Sequence, residues 1–274
     1  MPYPKQLAVL GVGKLGEALV SGLLKQGRLH PKDIRGTVAH PDHVARVKKG
    51  LGIAVSRDNA GAARGADMVI LAVKPQNMDA VVREIAPVLE PHQLLVSVAT
   101  GASTSFIQQR LAGPQPVVRA MPNTPAIINA GMTGLCAGEH AKPKHLAMAE
   151  AVFGCVGLTV QVDEYLMDAV TALSASGPAF LYVVIESLAE AGVKLGIPRD
   201  VSTLLAAQTM LGAARMTLET RSHPALLKDS VTTPAGCTVD GLMELEEGKL
   251  RVTLIKAVVK AAERARDLVP AAKG

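Results

Sequence analysis

The sequence predicts an α/β fold, with a doubly wound parallel sheet in its N-terminal part and only helices in its C-terminal part. Three observations carry this. A glycine loop, Gly11-Val12-Gly13-Lys14-Leu15-Gly16, follows a short apolar run and opens a helical pattern. Apolar, β-branched runs then alternate with helical patterns as far as Val162. Beyond that point the strand signal stops and one helical pattern follows another.

Taken in order, Leu7-Ala8-Val9-Leu10 reads as a buried strand, and Leu15, Leu19, Gly22 and Leu23 recur at helical spacing. Residues 34–39, 68–73, 94–99, 117–118 and 158–162 read as further strands. Alternation of strand and helix implies right-handed crossovers and parallel pairing, a Rossmann-type arrangement. Residues 165–173, 178–195, 200–219 and 250–268 read as helices. Pro178 suits a helix first turn, and Gly196 with Pro198 ends that helix. The domain division is therefore 1–164, binding a dinucleotide, and 165–274, helical. Rich in Ala and Leu, the second part reads as a subunit interface, the alternative being a self-contained bundle.

Composition narrows the function. Across 274 residues, 49% are hydrophobic, yet there is no Trp and only three Tyr and three Phe. Such a core suits helices on a parallel sheet and leaves little for stacking on nucleic-acid bases. The formal charge of +5 is scattered, with no basic run longer than Lys48-Lys49, so we expect steering of a small anion and no nucleic-acid partner. Cys136, Cys155 and Cys237 lack metal or disulfide spacing and read as reduced thiols. No secretory signal opens the chain, and the apolar stretch 177–185 stops at Glu186, short of a bilayer span. The expectation is a cytoplasmic protein without membrane or metal.

In the glycine loop, Gly11 permits the tight turn, Gly13 lets a pyrophosphate approach the backbone, and Gly16 allows close helix–strand packing. The alternative is a βα turn without ligand. The next strand ends in Val38-Ala39-His40-Pro41 without the acid that usually holds an NAD ribose. Asp33 precedes that strand and Asp42 follows the proline. Thr37, His40 and Arg46 are candidate partners for a 2′-phosphate, so the cofactor expected is NADP, with NADPH preferred to NADH.

Four more segments stand out: Leu71-Ala72-Val73-Lys74-Pro75-Gln76 at a strand end, Arg119-Ala120-Met121-Pro122-Asn123-Thr124-Pro125 as a proline-locked turn, Ser174-Ala175-Ser176-Gly177-Pro178 between helices, and Thr232-Thr233-Pro234-Ala235-Gly236-Cys237-Thr238 before a helix starting near Val239. In this order and spacing the chain resembles the pyrroline-5-carboxylate reductase family from the glycine loop to the last helix. The resemblance implies reduction of the cyclic imine L-1-pyrroline-5-carboxylate to L-proline by NAD(P)H. It also implies that the helical part is a dimerisation domain forming a swapped homodimer, often nested in a decamer. Ala175, Ala235, Cys237 and Phe180 depart from the family pattern and bear on substrate choice.

Site residues follow from the resemblance. Gly236, Cys237 and Thr238 would hold the substrate carboxylate, and the Thr238 hydroxyl would serve the imine nitrogen as the catalytic group; an ordinary helix N-cap is the other reading of Thr238. Glu164 would face the substrate, or be a solvated acid at a helix start. Ala72, Val73, Lys74 and Pro75 would line the nicotinamide half of the cofactor. Asn59 would sit near the adenosine ribose, or cap a helix beside Asp58. Met121 and Asn123 would shape a pocket floor or simply pack a turn. Two other functions compete: a reductase of another imine or of a β-hydroxyacid, for which Lys194 is poorly placed, and a nucleotide-binding paralogue without turnover.

Overall fold

A computed structural model describes residues 3–268. They fall into two compact units, residues 3–176 with 261–268 and residues 177–260.

The first unit is built on one eight-stranded sheet ordered β3-β2-β1-β4-β5-β6-β7-β8. The strands are β1 (Leu7–Leu10), β2 (Ile34–Thr37), β3 (Ala54–Ser56), β4 (Met68–Leu71), β5 (Leu94–Ser97), β6 (Val117–Pro122), β7 (Gly131–Ala137) and β8 (Gly157–Gln161). Helices α1 (Lys14–Lys25), α2 (Pro41–Leu51), α3 (Asn59–Ala63), α4 (Met78–Ile85), α5 (Thr104–Gln108), α6 (Pro143–Phe153) and α7 (Met167–Val170) connect and follow them. Strand alternation divides the core between two faces. Leu7, Val9, Met68 and Ile70 pack with Leu19 and Leu23 of α1 on one. Ala8, Leu10, Val69 and Leu71 pack with Val82 and Ile85 of α4 on the other. From β1 the chain goes to β2 on one side and reaches β4 on the other, so strand order reverses at β1 and opens a crevice at the carboxyl ends of β1 and β4.

Several expectations need correction. The sheet is mixed, because β7 runs antiparallel to β6. Only residues 123–130 join these strands, enough for a reversal and too few for a crossover. Neither β3, which is short, nor β7, which Gly131 and Gly134 interrupt, carries a readable apolar run. Gly134 is small for a reason: a Cβ there would stand 2.6 Å from Val170 Cγ1 on α7. Arg119 to Pro122, expected as a turn, is buried strand, with Arg119 paired to Asp168 at 3.3 Å. Residues 171–175, expected as the end of a helix to residue 173 and the start of a joint at Ser174, form a π turn instead. Among the described residues the helical run Glu164–Lys194 is, at 31 residues, long and apolar enough by length and composition to cross a membrane.

The second unit comprises α8 (Gly177–Lys194), α9 (Arg199–Thr220), α10 (Pro224–Ser230), α11 (Cys237–Glu247) and the start of α12 (Leu250–Asp267). Pro178 lies in the first turn of α8, Gly196 reverses the chain at φ +94°, and Pro198 leads into α9. The α8–α9 pair is tight where Gly192 meets the Ser202 side chain, and Ser202 Oγ donates to Ala189 O at 2.7 Å. Many large apolar side chains of this unit, Leu181, Val183, Leu204, Leu211, Met243 and Ile255 among them, remain exposed on the single chain.

Candidate functional site

The glycine loop has a distinct geometry at each glycine. Gly11 adopts φ +88°, and a Cβ there would lie 2.9 Å from both Ala72 O and Val73 Cγ1. Its N–H donates to Thr37 O at 3.1 Å, and that of Val12 donates to the same oxygen at 2.7 Å, which ties the loop to the end of β2. Gly13 is exposed and extended at the N-cap of α1, with nothing within 4 Å of where a Cβ would be. Gly16 packs on β1, its Cβ position 3.3 Å from Val9 Cγ1. The turn, the open approach and the close packing therefore fall on Gly11, Gly13 and Gly16 in that order. First-turn N–H groups of α1 have no intrahelical partner, and with the helix dipole they favour an anion in front of them.

A cleft of about 680 Å³ opens at this loop. Gly11, Val12, Gly13, Ala72, Val73 and Lys74 line it, together with Thr37, His40, His43, Arg57 and Asn59. No carboxylate lines it. Lys14, Leu15, Gly16 and Pro75 stand outside the lining, where Gln76 and Asn77 are found instead. Thr37 is buried and its hydroxyl donates to Asn59 Oδ1 at 2.7 Å, so it is spent inside the protein. Asn59 in turn donates to Glu84 at 2.8 Å, while Asp58 is the residue that caps α3. Arg46 is held by Glu17 of α1 at 2.7 Å and does not line the cleft, a correction to the expected 2′-phosphate partners. Arg57 lines it unforeseen, because it follows β3, the strand that sequence pattern misses.

In the second unit, the loop before α11 turns through Ala235 at φ +59°, and Gly236 donates to Thr233 O at 3.0 Å. Gly236 is the N-cap, Cys237 is the first helical residue and is exposed, and Thr238 is half-buried in the first turn. Thr238 is therefore not the cap, and no side chain caps this helix. The loop leaves a helix N-terminus bare of side-chain acceptors, suited chemically to a carboxylate, with a hydroxyl beside it.

The Glu164 carboxylate is engaged within the protein. Its carboxylate accepts from Thr104 N at 2.6 Å and from Thr104 Oγ1 at 2.5 Å, satisfying the first turn of α5. Nearby Cys136 has its thiol pushed up to about 12, chiefly by burial and next by the Glu164 charge. Met121 is buried against Cys136 and Met167. Asn123 accepts from Met132 N at 2.9 Å and donates to Ser174 O at 3.3 Å, so both residues pack the turn. All three cysteines are free, and among the described residues no group of three His, Cys, Asp or Glu is placed to hold a metal ion.

Comparison with known proteins covers nearly the whole chain. The family model for pyrroline-5-carboxylate reductase dimerisation matches residues 164–268. A model for coenzyme F420-dependent NADP oxidoreductases matches residues 6–101. The chain is 42% identical over 264 residues to a pyrroline-5-carboxylate reductase of Methanosarcina acetivorans, covering 96% of this chain and 98% of that one. It is 41% identical to one of Glycine max, over 97% of this chain and 98% of the other. Among solved structures, a pyrroline-5-carboxylate reductase of Coxiella burnetii superposes with a TM-score of 0.91 at 37% identity, covering 97% of this chain and 99% of that one. A Plasmodium falciparum pyrroline carboxylate reductase solved with NADP bound gives 0.86 at 29% identity, over 97% and 98%.

Proposed function

The chain belongs to the pyrroline-5-carboxylate reductase family, and we infer that it reduces L-1-pyrroline-5-carboxylate to L-proline with a reduced nicotinamide dinucleotide, the last step of proline synthesis. The open cradle at Gly13, in front of α1 and at the reversal of strand order, is the observation that carries the cofactor half of this reading. It fits a pyrophosphate because it is the one loop glycine where added bulk would meet no protein atom. Gly11 to Gly13 and the first turn of α1 would hold the phosphates, with Ala72, Val73 and Lys74 along the nicotinamide half. Lys14, Leu15 and Gly16 act through that first turn, Pro75 supports the lining, and Asn59, itself in the lining, is placed near the adenosine ribose. The bound dinucleotide supplies a hydride.

We assign the substrate carboxylate to the N–H groups of Gly236, Cys237 and Thr238, and the ring nitrogen to the Thr238 hydroxyl, which exchanges a proton there. We propose Glu164 as a scaffold residue first, since each of its oxygens already accepts a hydrogen bond from Thr104, with acceptor capacity left on both for the substrate side. Orientation in a site that excludes water accounts for much of the rate. NADPH is the preferred cofactor in this proposal, because His40, His43 and Arg57 line the cleft where an NAD site would place an acid. The match to a dimerisation domain supports a homo-oligomer. We propose a homodimer through the exposed apolar faces of the helical unit, able to assemble into a decamer, and a cytoplasmic location suited to three free thiols.

The test is steady-state oxidation of NADPH with L-1-pyrroline-5-carboxylate, run against larger cyclic imines and hydroxy acids. Turnover with the pyrroline and none with hydroxy acids is expected. Turnover with hydroxy acids alone would overturn the assignment.

A further inference from the structure

His40 and His43 stand side by side at one end of the nucleotide cleft, ring centroids 5.7 Å apart and edge to face. Both line the cleft with Arg57. They are brought there by neighbouring strands: the histidines follow β2, Arg57 follows β3, and Val38 N donates to Ser56 O at 3.1 Å between the two strand ends. His40 is the N-cap of α2, Pro41 opens the helix, and His43 N donates to His40 O at 3.1 Å, so one turn fixes both imidazoles. We propose that this pair makes the discrimination between NADP(H) and NAD(H) depend on pH, the protonated imidazoles and Arg57 together binding the 2′-phosphate. The proposal rests on the reading of this cleft as an NADP(H) site.

Histidine is the side chain whose ordinary charge change falls between pH 5 and 8. Arg57 keeps its charge throughout and supplies the constant part of the attraction. Other charges around the pair are accounted for. Asp42 lies between the two histidines on the same turn, and Arg46, farther along α2, is held by Glu17 of α1. Asp58, beside Arg57, spends its carboxylate on Gly61 N at 2.8 Å. Lys74 also lines the cleft. Neither imidazole forms an ion pair with a carboxylate among the described residues, so a dianionic phosphate would be the group that holds their protons. The 2′-phosphate is half ionised near pH 6 and about nine-tenths dianionic by roughly pH 7, so above about pH 7 the change lies chiefly on the protein's side of the contact.

The experiment is equilibrium binding of NADP+ and NAD+ to the intact protein by titration calorimetry between pH 6.5 and 8.5. The ratio of affinities should fall about tenfold or more in favour of NAD+ as pH rises, and NADP+ binding near pH 7.5 should take up protons from the buffer. The double variant His40→Gln, His43→Gln should flatten the ratio against pH, while Arg57→Ala should lower NADP+ affinity and leave the slope. A strong, pH-independent preference for NADP+ would overturn the role of the histidines and leave the cofactor reading standing. Tighter NAD+ binding at every pH would overturn the cofactor reading itself.

Discussion

Both oxygens of the Glu164 carboxylate are taken by one residue, Thr104, through its N–H at 2.6 Å and its hydroxyl at 2.5 Å. The acid thereby adds a second acceptor at the start of α5, beside the Ser103 cap, reaching it from sixty residues along the chain. Glu164→Ala would leave a part-buried N–H and hydroxyl without their acceptor, at a cost of about 1–3 kcal/mol. Thermal unfolding should show the loss, and KM for the imine should stay near the parent value. A raised KM with unchanged stability would return Glu164 to the substrate.

Gly11 and Gly13 should fail in different ways. At Gly13 the backbone φ of −100° suits alanine and no protein atom lies within 4 Å of its Cβ. Gly13→Ala should therefore fold with close to parental stability and lose dinucleotide affinity by tenfold or more, because the added methyl fills the phosphate approach. Gly11→Ala meets both φ +88° and contacts at 2.9 Å with Ala72 and Val73, and should lose stability as well as affinity. Cofactor fluorescence titration beside thermal unfolding separates the two; undiminished affinity in folded Gly13→Ala would refute the loop's role.

Thr238 lies inside the first turn of α11 with Gly236 as the cap, so removing its hydroxyl does not remove a helix cap. Thr238→Ala should bind cofactor as the parent does and turn over about ten- to a thousandfold more slowly, the scale of one lost proton donor or transition-state hydrogen bond. Thr238→Ser should recover most of the rate. An alanine variant as fast as the parent would leave the imine to take its proton from water.

Ala235 holds φ +59°, a conformation that costs an L residue roughly 1–2 kcal/mol relative to glycine. Ala235→Gly should raise the melting temperature, or at least offset the entropy that glycine adds to the unfolded chain. A clear drop would mean that the alanine methyl makes contacts that outweigh the backbone strain.

What was legible in the sequence follows from the physics of each signal. The buried runs at Leu7 to Leu10 and Met68 to Leu71 could be read because strands covered on both faces are apolar throughout. The glycine loop could be read because a turn with φ > 0, an open approach and a close packing each demand glycine. Arg57 could not, since its strand is short with both end residues exposed, and nothing local places it beside His40. The Thr104 to Glu164 contact is equally silent: it joins residues far apart through a helix end whose need for an acceptor has no periodicity. Gly134 in β7 serves a neighbour, Val170, and weakened the very pattern that would have revealed the strand.

The most direct measurement follows the hydride itself. NADPH carrying deuterium at C4, prepared separately in each of its two stereochemical forms, is oxidised with L-1-pyrroline-5-carboxylate and the product examined by NMR and mass spectrometry. The account predicts L-proline labelled at C5 from one of the two forms, in proportion to the NADPH consumed. Folded protein that binds NADPH yet yields no labelled proline from either form would contradict it.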